Sequence, residues 1–337
     1  MSGEARAIAR NLGWMLASRS VLAVLSLIYL AIVTRTLGLG SFGRFALIVG
    51  ASQALAVFVG FQTWQIIVRY GAEHIRTGDE RRLARLLQAC GLLDACSALV
   101  GTVLAVLVIV NWGEALGVRP VHARAAVLFT AVQLLTIRST PLGILRLRDR
   151  YSLAALADSV TPLARLAGAV AAAVMMPTIT GFLLAWGLAE VLTAATYWWL
   201  VARTGDLKLI TRRDIGLGGA IREHPGIVRF AIGTNANSTL GLSSKQIPLL
   251  LVGGIGGVAS AGAFRLALQL AQALTKLAQL VARAAFPEFV RAMGAGGMQR
   301  IGSPSVGHMR CFIQILTPSD PPAKQSRQLG LHAFPRH

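Results

Sequence analysis

The sequence predicts an all-α integral membrane protein, a multi-span helical bundle, and three observations carry that expectation. Of 337 residues, 54% are hydrophobic and 14% charged, with a mean hydropathy of +0.61; a soluble chain carries about 25% charged residues. Apolar runs close to the ~20 residues that a bilayer crossing requires recur along the chain. Between them lie short connections rich in Gly, Pro and charge, the residues that interrupt helices.

Eight spans are expected. The first, 12–34, is too long for a signal-peptide core and lacks a convincing cleavage site, so it is read as retained. The second, 43–68, follows the glycine-rich turn Leu37–Phe42, and the third, 86–110, follows the charged connection Arg69–Arg85. Asn111–Pro120 introduces the fourth at 122–145, Arg146–Arg150 the fifth at 151–176, and Pro177–Gly181 the sixth at 179–201. A seventh run, 227–252, and a more polar eighth, 261–286, are separated by Gly253–Gly262. The expected organisation is a complete six-helix N-terminal lobe (1–202), a basic linker (203–225), the first two helices of a parallel second lobe (226–293) and a polar tail (294–337). Two readings of the tail stand: a disordered segment, or a shifted frame that replaced the remaining helices of a truncated lobe.

The formal net charge is +19, yet its distribution argues against nucleic acid as a partner. Nineteen loop Arg and Lys residues fall on one side of the spans and four on the other. Such a bias is an orientation signal, and it puts the N-terminus and the linker in the cytoplasm. Cys90, Cys96 and Cys311 match no metal or redox spacing. No His, Cys or acid cluster has metal-ligand spacing, and no cofactor is expected.

The most informative feature is a duplication. Gly38-Leu-Gly-Ser-Phe-Gly-Arg-Phe and Gly257-Val-Ala-Ser-Ala-Gly-Ala-Phe align at a constant offset of 219 residues, with eight identities in eighteen ungapped positions. Gly38/Gly257, Ser41/Ser260, Gly43/Gly262 and Gln53/Gln272 are among them. Six spans precede the linker, so the copies re-enter the membrane from one side and are related by an axis along its normal. Two related lobes of this kind hold a substrate between them and rock against each other, so a transporter is implied.

Polar side chains inside the spans are the candidate site. On the eighth span Arg265, Gln269, Gln272, Lys276, Gln279 and Arg283 fall along one helical line. One alternative makes this an amphipathic helix in the headgroup region; the repeat favours a spanning helix whose stripe lines a water-filled cavity. The offset also pairs Arg19 with Ser238 and Ser26 with Lys245, placing a cation on the corresponding helix of each lobe. Arg19 lies near its helix start, where snorkelling to the surface is the competing reading. Asp158 and Arg165 are seven apart and share a helix face, as an ion pair or as a coupling site. Asp94 is read as interfacial. Cations outnumber acids along this path, which favours an anionic passenger over a cationic drug.

Gly38-Leu-Gly-Ser-Phe-Gly is a literal G-x-G-x-x-G but lacks the preceding strand that dinucleotide binding needs. In context, Thr34-Arg-Thr-Leu-Gly-Leu-Gly-Ser-Phe-Gly-Arg-Phe, its echo at Gly257 and the following Phe286-Pro-Glu-Phe resemble the polysaccharide flippases of the multidrug/oligosaccharidyl-lipid/polysaccharide exporter superfamily. The resemblance covers about residues 8–292. It implies two six-helix lobes around a central cavity, location in the inner (plasma) membrane, and no enzymatic activity. The implied task is export of an undecaprenyl-pyrophosphate-linked oligosaccharide, for surface polysaccharide or lipopolysaccharide biosynthesis, from the cytoplasmic to the periplasmic leaflet. Membrane lipids and polysaccharide assembly proteins are the other partner candidates. On this expectation Arg19, Lys245, Arg265 and Lys276 hold the pyrophosphate, while Gln53, Gln269, Gln272 and Gln279 hydrogen-bond sugar hydroxyls. The alternatives are an inactive fragment of such a transporter and a multidrug cation antiporter of the same superfamily. A membrane glycosyltransferase would need acids in the first outer loop, and Leu37–Phe42 has none.

Overall fold

A computed structural model describes the backbone of residues 3–113, 118–210, 217–243 and 246–294, with side chains from 24 to 275 apart from 114–117, 211–218 and 242–245. The eight-residue turn shared by the two copies explains the first element. Helix α1 (Gly3–Val59) is broken at Gly38, whose φ of 72° and ψ of 163° suit only glycine. The rings of Tyr29 and Phe45, on either side of the break, lie 5.5 and 5.6 Å from the ring of Trp186. A straight helix would hold those two positions about 24 Å apart, so the chain reverses at Gly38 and α1 supplies two passes.

The chain continues through α2 (Thr63–Thr77), α3 (Glu80–Trp112), α4 (Pro120–Leu135) and α5 (Ser139–Leu147). Then come α6 (Tyr151–Met175), α7 (Ile179–Arg203), α8 (Leu207–Ile210), α9 (Leu217–Glu223), α10 (Ile227–Ser243) and α11 (Ile247–Gly294). The described residues are helical without strands, and six stretches among them are long and apolar enough to cross a membrane. The chain is a multi-pass membrane protein.

Two of the expected spans are corrected by breaks. The run 43–68 is interrupted between α1 and α2, and 122–145 between α4 and α5. Hydropathy averages over such windows and misses them. Non-helical backbone at membrane depth persists only where its polar groups find partners. Here the Gly60 carbonyl accepts from Asn235 Nδ2 at 3.2 Å and the Ile137 carbonyl from Trp198 Nε1 at 3.0 Å.

The second copy repeats the first in conformation. Gly257 breaks α11 with φ 80° and ψ 175°, nearly the values at Gly38. The two turns also touch, and they do so reciprocally. A Cβ on Gly43 would strike the carbonyl of Val258, and one on Gly262 would lie 2.8 Å from the carbonyl of Leu39 and 3.2 Å from Gly43 Cα. Val258 occupies in the second copy the place of Leu39 in the first. Residue i of one copy meeting j of the other, and j meeting i, is the contact pattern of a two-fold axis. Small residues let the backbones approach where lipid provides no hydrophobic drive.

Packing elsewhere is densest in the α6–α7 hairpin, where a Cβ on Gly168 would come within 3.0 Å of the Ala185 methyl. One apolar cluster, including Tyr29, Val33, Phe45, Phe129, Phe182 and Trp186, lies beside the Gly38 turn. A second, including Ile66, Ile67, Leu86, Ile144 and Tyr197, fills the end carrying the arginine-rich connections. Val110, Val174, Leu188 and Ile255 point outward, as lipid-facing side chains do.

Overpacking a tight contact costs about 1–3 kcal/mol. Gly43→Val and Gly262→Val should therefore each lower the melting temperature in detergent by several degrees. Gly40→Ala, which meets open space, should leave it unchanged; equal effects at all three positions would refute the turn-to-turn contact.

Candidate functional site

Glu190 lies at the centre of α7 with 0% exposure. A bare carboxylate there would cost several kcal/mol, and two guanidinium groups neutralise it. Arg165, from the partner helix of the hairpin, donates to Oε1, and Arg138 approaches Oε2 at 2.5 Å. Trp186, one turn earlier on the same face, donates its Nε1–H to Oε1 at 3.1 Å. The Arg165 guanidinium also lies 3.9 Å from the centroid of that indole. Two cations on one anion leave a surplus positive charge, and Arg165 and Arg138 keep 25% and 33% of their side chains exposed.

Among the described residues the buried Tyr29 hydroxyl has no hydrogen-bond partner, and neither has Arg165 Nε. Both lie beside the same indole: the Tyr29 ring meets Trp186 edge to face at 5.5 Å and the Arg165 guanidinium sits over it. Arg265 stands half-buried on the arm of α11 that follows Gly257, and the first copy has Ala46 at that place.

Beside Arg138 lies a polar cavity of about 400 Å³, lined by Gln53, Gln62, Asp94, Gln133, Arg138 and Gln246 among others. Both helix breaks open onto it, through Gly60–Gln62 and Thr136–Arg138, and Gln246, just before α11, lines it as well. Asp94 is buried, and it supports both breaks. Its Oδ2 accepts from Thr63 Oγ1 at 2.8 Å, at the start of α2, and from Thr140 Oγ1 at 2.6 Å and Thr140 N at 3.2 Å, at the start of α5. Interrupted helices that line a cavity are the usual construction of a transporter's binding region.

Of the expected site residues, Gln53 lines the cavity and accepts from Gln246 Nε2 at 2.7 Å. Arg265 and Gln269 are half-buried, while Gln272 is exposed. The side chains of Arg19, Lys245, Lys276 and Gln279 lie outside the described residues. The expected pairing of Asp158 with Arg165 is not what the chain builds. Arg165 serves the buried Glu190, whereas Asp158 is exposed and accepts from the Tyr197 hydroxyl at 2.6 Å. Burial decides the matter: the acid without water takes the guanidinium. The grouping of Glu190 with Arg138, Arg165 and Tyr29 escaped the sequence analysis because it is purely tertiary. The one signal was that Glu190 is an acid inside an otherwise apolar span.

A family profile described as polysaccharide biosynthesis protein matches residues 8–293. The chain belongs to that family. Among curated proteins, this family member is similar to the inner membrane protein YghQ of Escherichia coli K12, with 28% identity over 295 residues, covering 86% of this chain and 82% of the relative. No solved structure matches.

Removing one partner of a buried ion pair leaves an uncompensated charge and costs about 3–5 kcal/mol. Glu190→Gln should accordingly destabilise the protein by an amount of that order in SDS-titration unfolding. The triple replacement of Glu190, Arg165 and Arg138 by Met should recover most of it. A triple variant no more stable than Glu190→Gln alone would show that the charges are not coupled.

Proposed function

We propose that the chain translocates a lipid-linked oligosaccharide on an undecaprenyl-pyrophosphate carrier, for surface polysaccharide or lipopolysaccharide assembly. The observation that carries this reading is the buried Glu190, whose two guanidinium partners leave a surplus positive charge, with Arg165 Nε and the nearby Tyr29 hydroxyl holding no hydrogen-bond partner among the described residues. Pyrophosphate offers acceptor oxygens for several such donors, and partial burial strengthens charge-assisted hydrogen bonds. The adjoining polar cavity, with Gln53 and Gln133 in its wall, suits sugar hydroxyls. Gln269 and Gln272 extend that polar surface along α11, with Arg19, Lys245, Arg265, Lys276 and Gln279 as further ligand candidates. The carrier's polyprenyl tail stays in lipid between the helices.

Charge asymmetry supports an orientation with the arginine-rich loops in the cytoplasm, and on this reading the passenger is carried to the periplasmic leaflet. The name of the similar YghQ protein supports placement in the inner membrane. The chain acts as a carrier rather than a catalyst. A multidrug antiporter would need unpaired acids for cationic passengers; here Glu190 is doubly paired and Asp94 is engaged by Thr63 and Thr140.

Loss of one hydrogen bond to a charged group costs about 1.5–3 kcal/mol, which is about 10- to 100-fold in affinity. In proteoliposomes holding a fluorescent polyprenyl-pyrophosphate glycan, Arg265→Gln should slow leaflet exchange at least about tenfold. Arg203→Gln, at an exposed helix end, should not slow it. Equal rates for wild type and Arg265→Gln would overturn the assignment, and no exchange by the wild type would favour an inactive fragment.

A further inference from the structure

Where the linker rejoins the bundle, two buried histidines meet. His74 on α2 is 8% exposed and His224, just past α9, is 5% exposed. Their Nε2 atoms are 2.7 Å apart, with the rings edge to face at a centroid distance of 4.9 Å. His224 Nδ1 lies 2.7 Å from the Ala220 carbonyl, an acceptor only, so Nδ1 carries a proton. In a neutral His224 the Nε2 is then the acceptor and His74 Nε2–H the donor. Beside the pair, Arg85 of α3 clamps Glu223 through both carboxylate oxygens, at 2.5 and 3.1 Å. These two contacts hold the α9 segment against α2 and α3.

We propose that the His74–His224 contact is a proton-operated latch, docking α9 on the first six-helix region at neutral pH and releasing it when both imidazoles are protonated. The proton count fixes the sign. One added proton can sit on His74 Nδ1 and leave the Nε2–H···Nε2 bond intact. A second must go to His224 Nε2, setting one N–H against another and two positive charges side by side. Undocked, each imidazole protonates independently, so the docked state binds fewer protons and loses stability as pH falls. Histidines exchange that proton between about pH 5 and 8.

Two acids, Asp79 and Glu223, face His74, and each is already held by an arginine. On α2, Tyr70 presents its ring to His224 at 5.4 Å and Glu73 is bound to Arg76. From the α2–α3 connection, Asp79 faces Arg82 at 3.3 Å and accepts from its backbone N–H at 3.0 Å. Glu223, the acid nearest in sequence to His224, is committed to Arg85. Arg69 stacks on Phe230 at 4.5 Å and adds positive charge to the same end. The latch is independent of the ligand proposed above, since it lies at the arginine-rich end rather than in the cleft.

The test is amide hydrogen exchange of residues 217–225 in the full-length protein in detergent, with intrinsic rates corrected for pH. Wild type should lose at least about tenfold of its protection between pH 7.5 and 5.5. His74→Gln, whose amide can still donate to His224 but does not titrate, should flatten that dependence. Glu223→Gln should lower protection by a similar factor at both pH values. A wild type with no pH dependence, or the same dependence in His74→Gln and wild type, would overturn the latch. Should His74→Gln fail to fold, the wild-type profile and His224→Gln decide in the same way.

Discussion

One buried carboxylate organises the centre of this protein. Glu190 has no water, so it must be matched, and the chain matches it twice. Taking a charge out of solvent is tolerated only with good partners, and here those partners come from three elements. Arg138 stands where α4 gives way to α5, Arg165 is on α6, and Trp186 stands one turn before the acid on α7. Satisfying Glu190 therefore fixes the break, the α6–α7 hairpin and the tilt of Arg165 over the indole together. What is left over is a positive charge beside an unpartnered Tyr29 hydroxyl. A structural requirement of the fold thus leaves the feature that suits an anionic passenger.

The duplication supplies the frame around that charge. Gly38 and Gly257 adopt matching left-handed conformations, and Gly43 and Gly262 let the two turns meet face to face. The scaffold is nearly symmetric at the turns and becomes asymmetric one turn beyond, where Arg265 replaces the counterpart of Ala46. The interrupted helices add polar backbone to the wall of the adjoining cavity, at positions held by Asp94, Asn235 and Trp198.

The helical membrane class and the duplicated turn were legible because both are local: hydropathy needs one window, and Gly38 and Gly257 announce themselves by spacing. The breaks at Gly60–Gln62 and Thr136–Arg138 were not, because two or three polar residues disappear into the average of a long apolar run. Asp158 and Arg165 share a helix face, yet sharing a face says nothing of burial, and a more deeply buried acid on α7 took the arginine. The partners of Glu190 and of His74 lie too far along the chain for any spacing rule to join them. Only the folded helices bring them together.

Trp186 lies beneath Arg165 and beside Tyr29, so its emission reports directly on whether an anion enters the cationic group. The decisive measurement is a fluorescence titration of the detergent-solubilised protein with a short polyprenyl pyrophosphate, against the corresponding uncharged alcohol. A saturable change with the pyrophosphate alone, lost in Trp186→Phe, is the expected result. An equal response to the alcohol, or a response that survives Trp186→Phe, would contradict an anion-binding cleft built on Glu190.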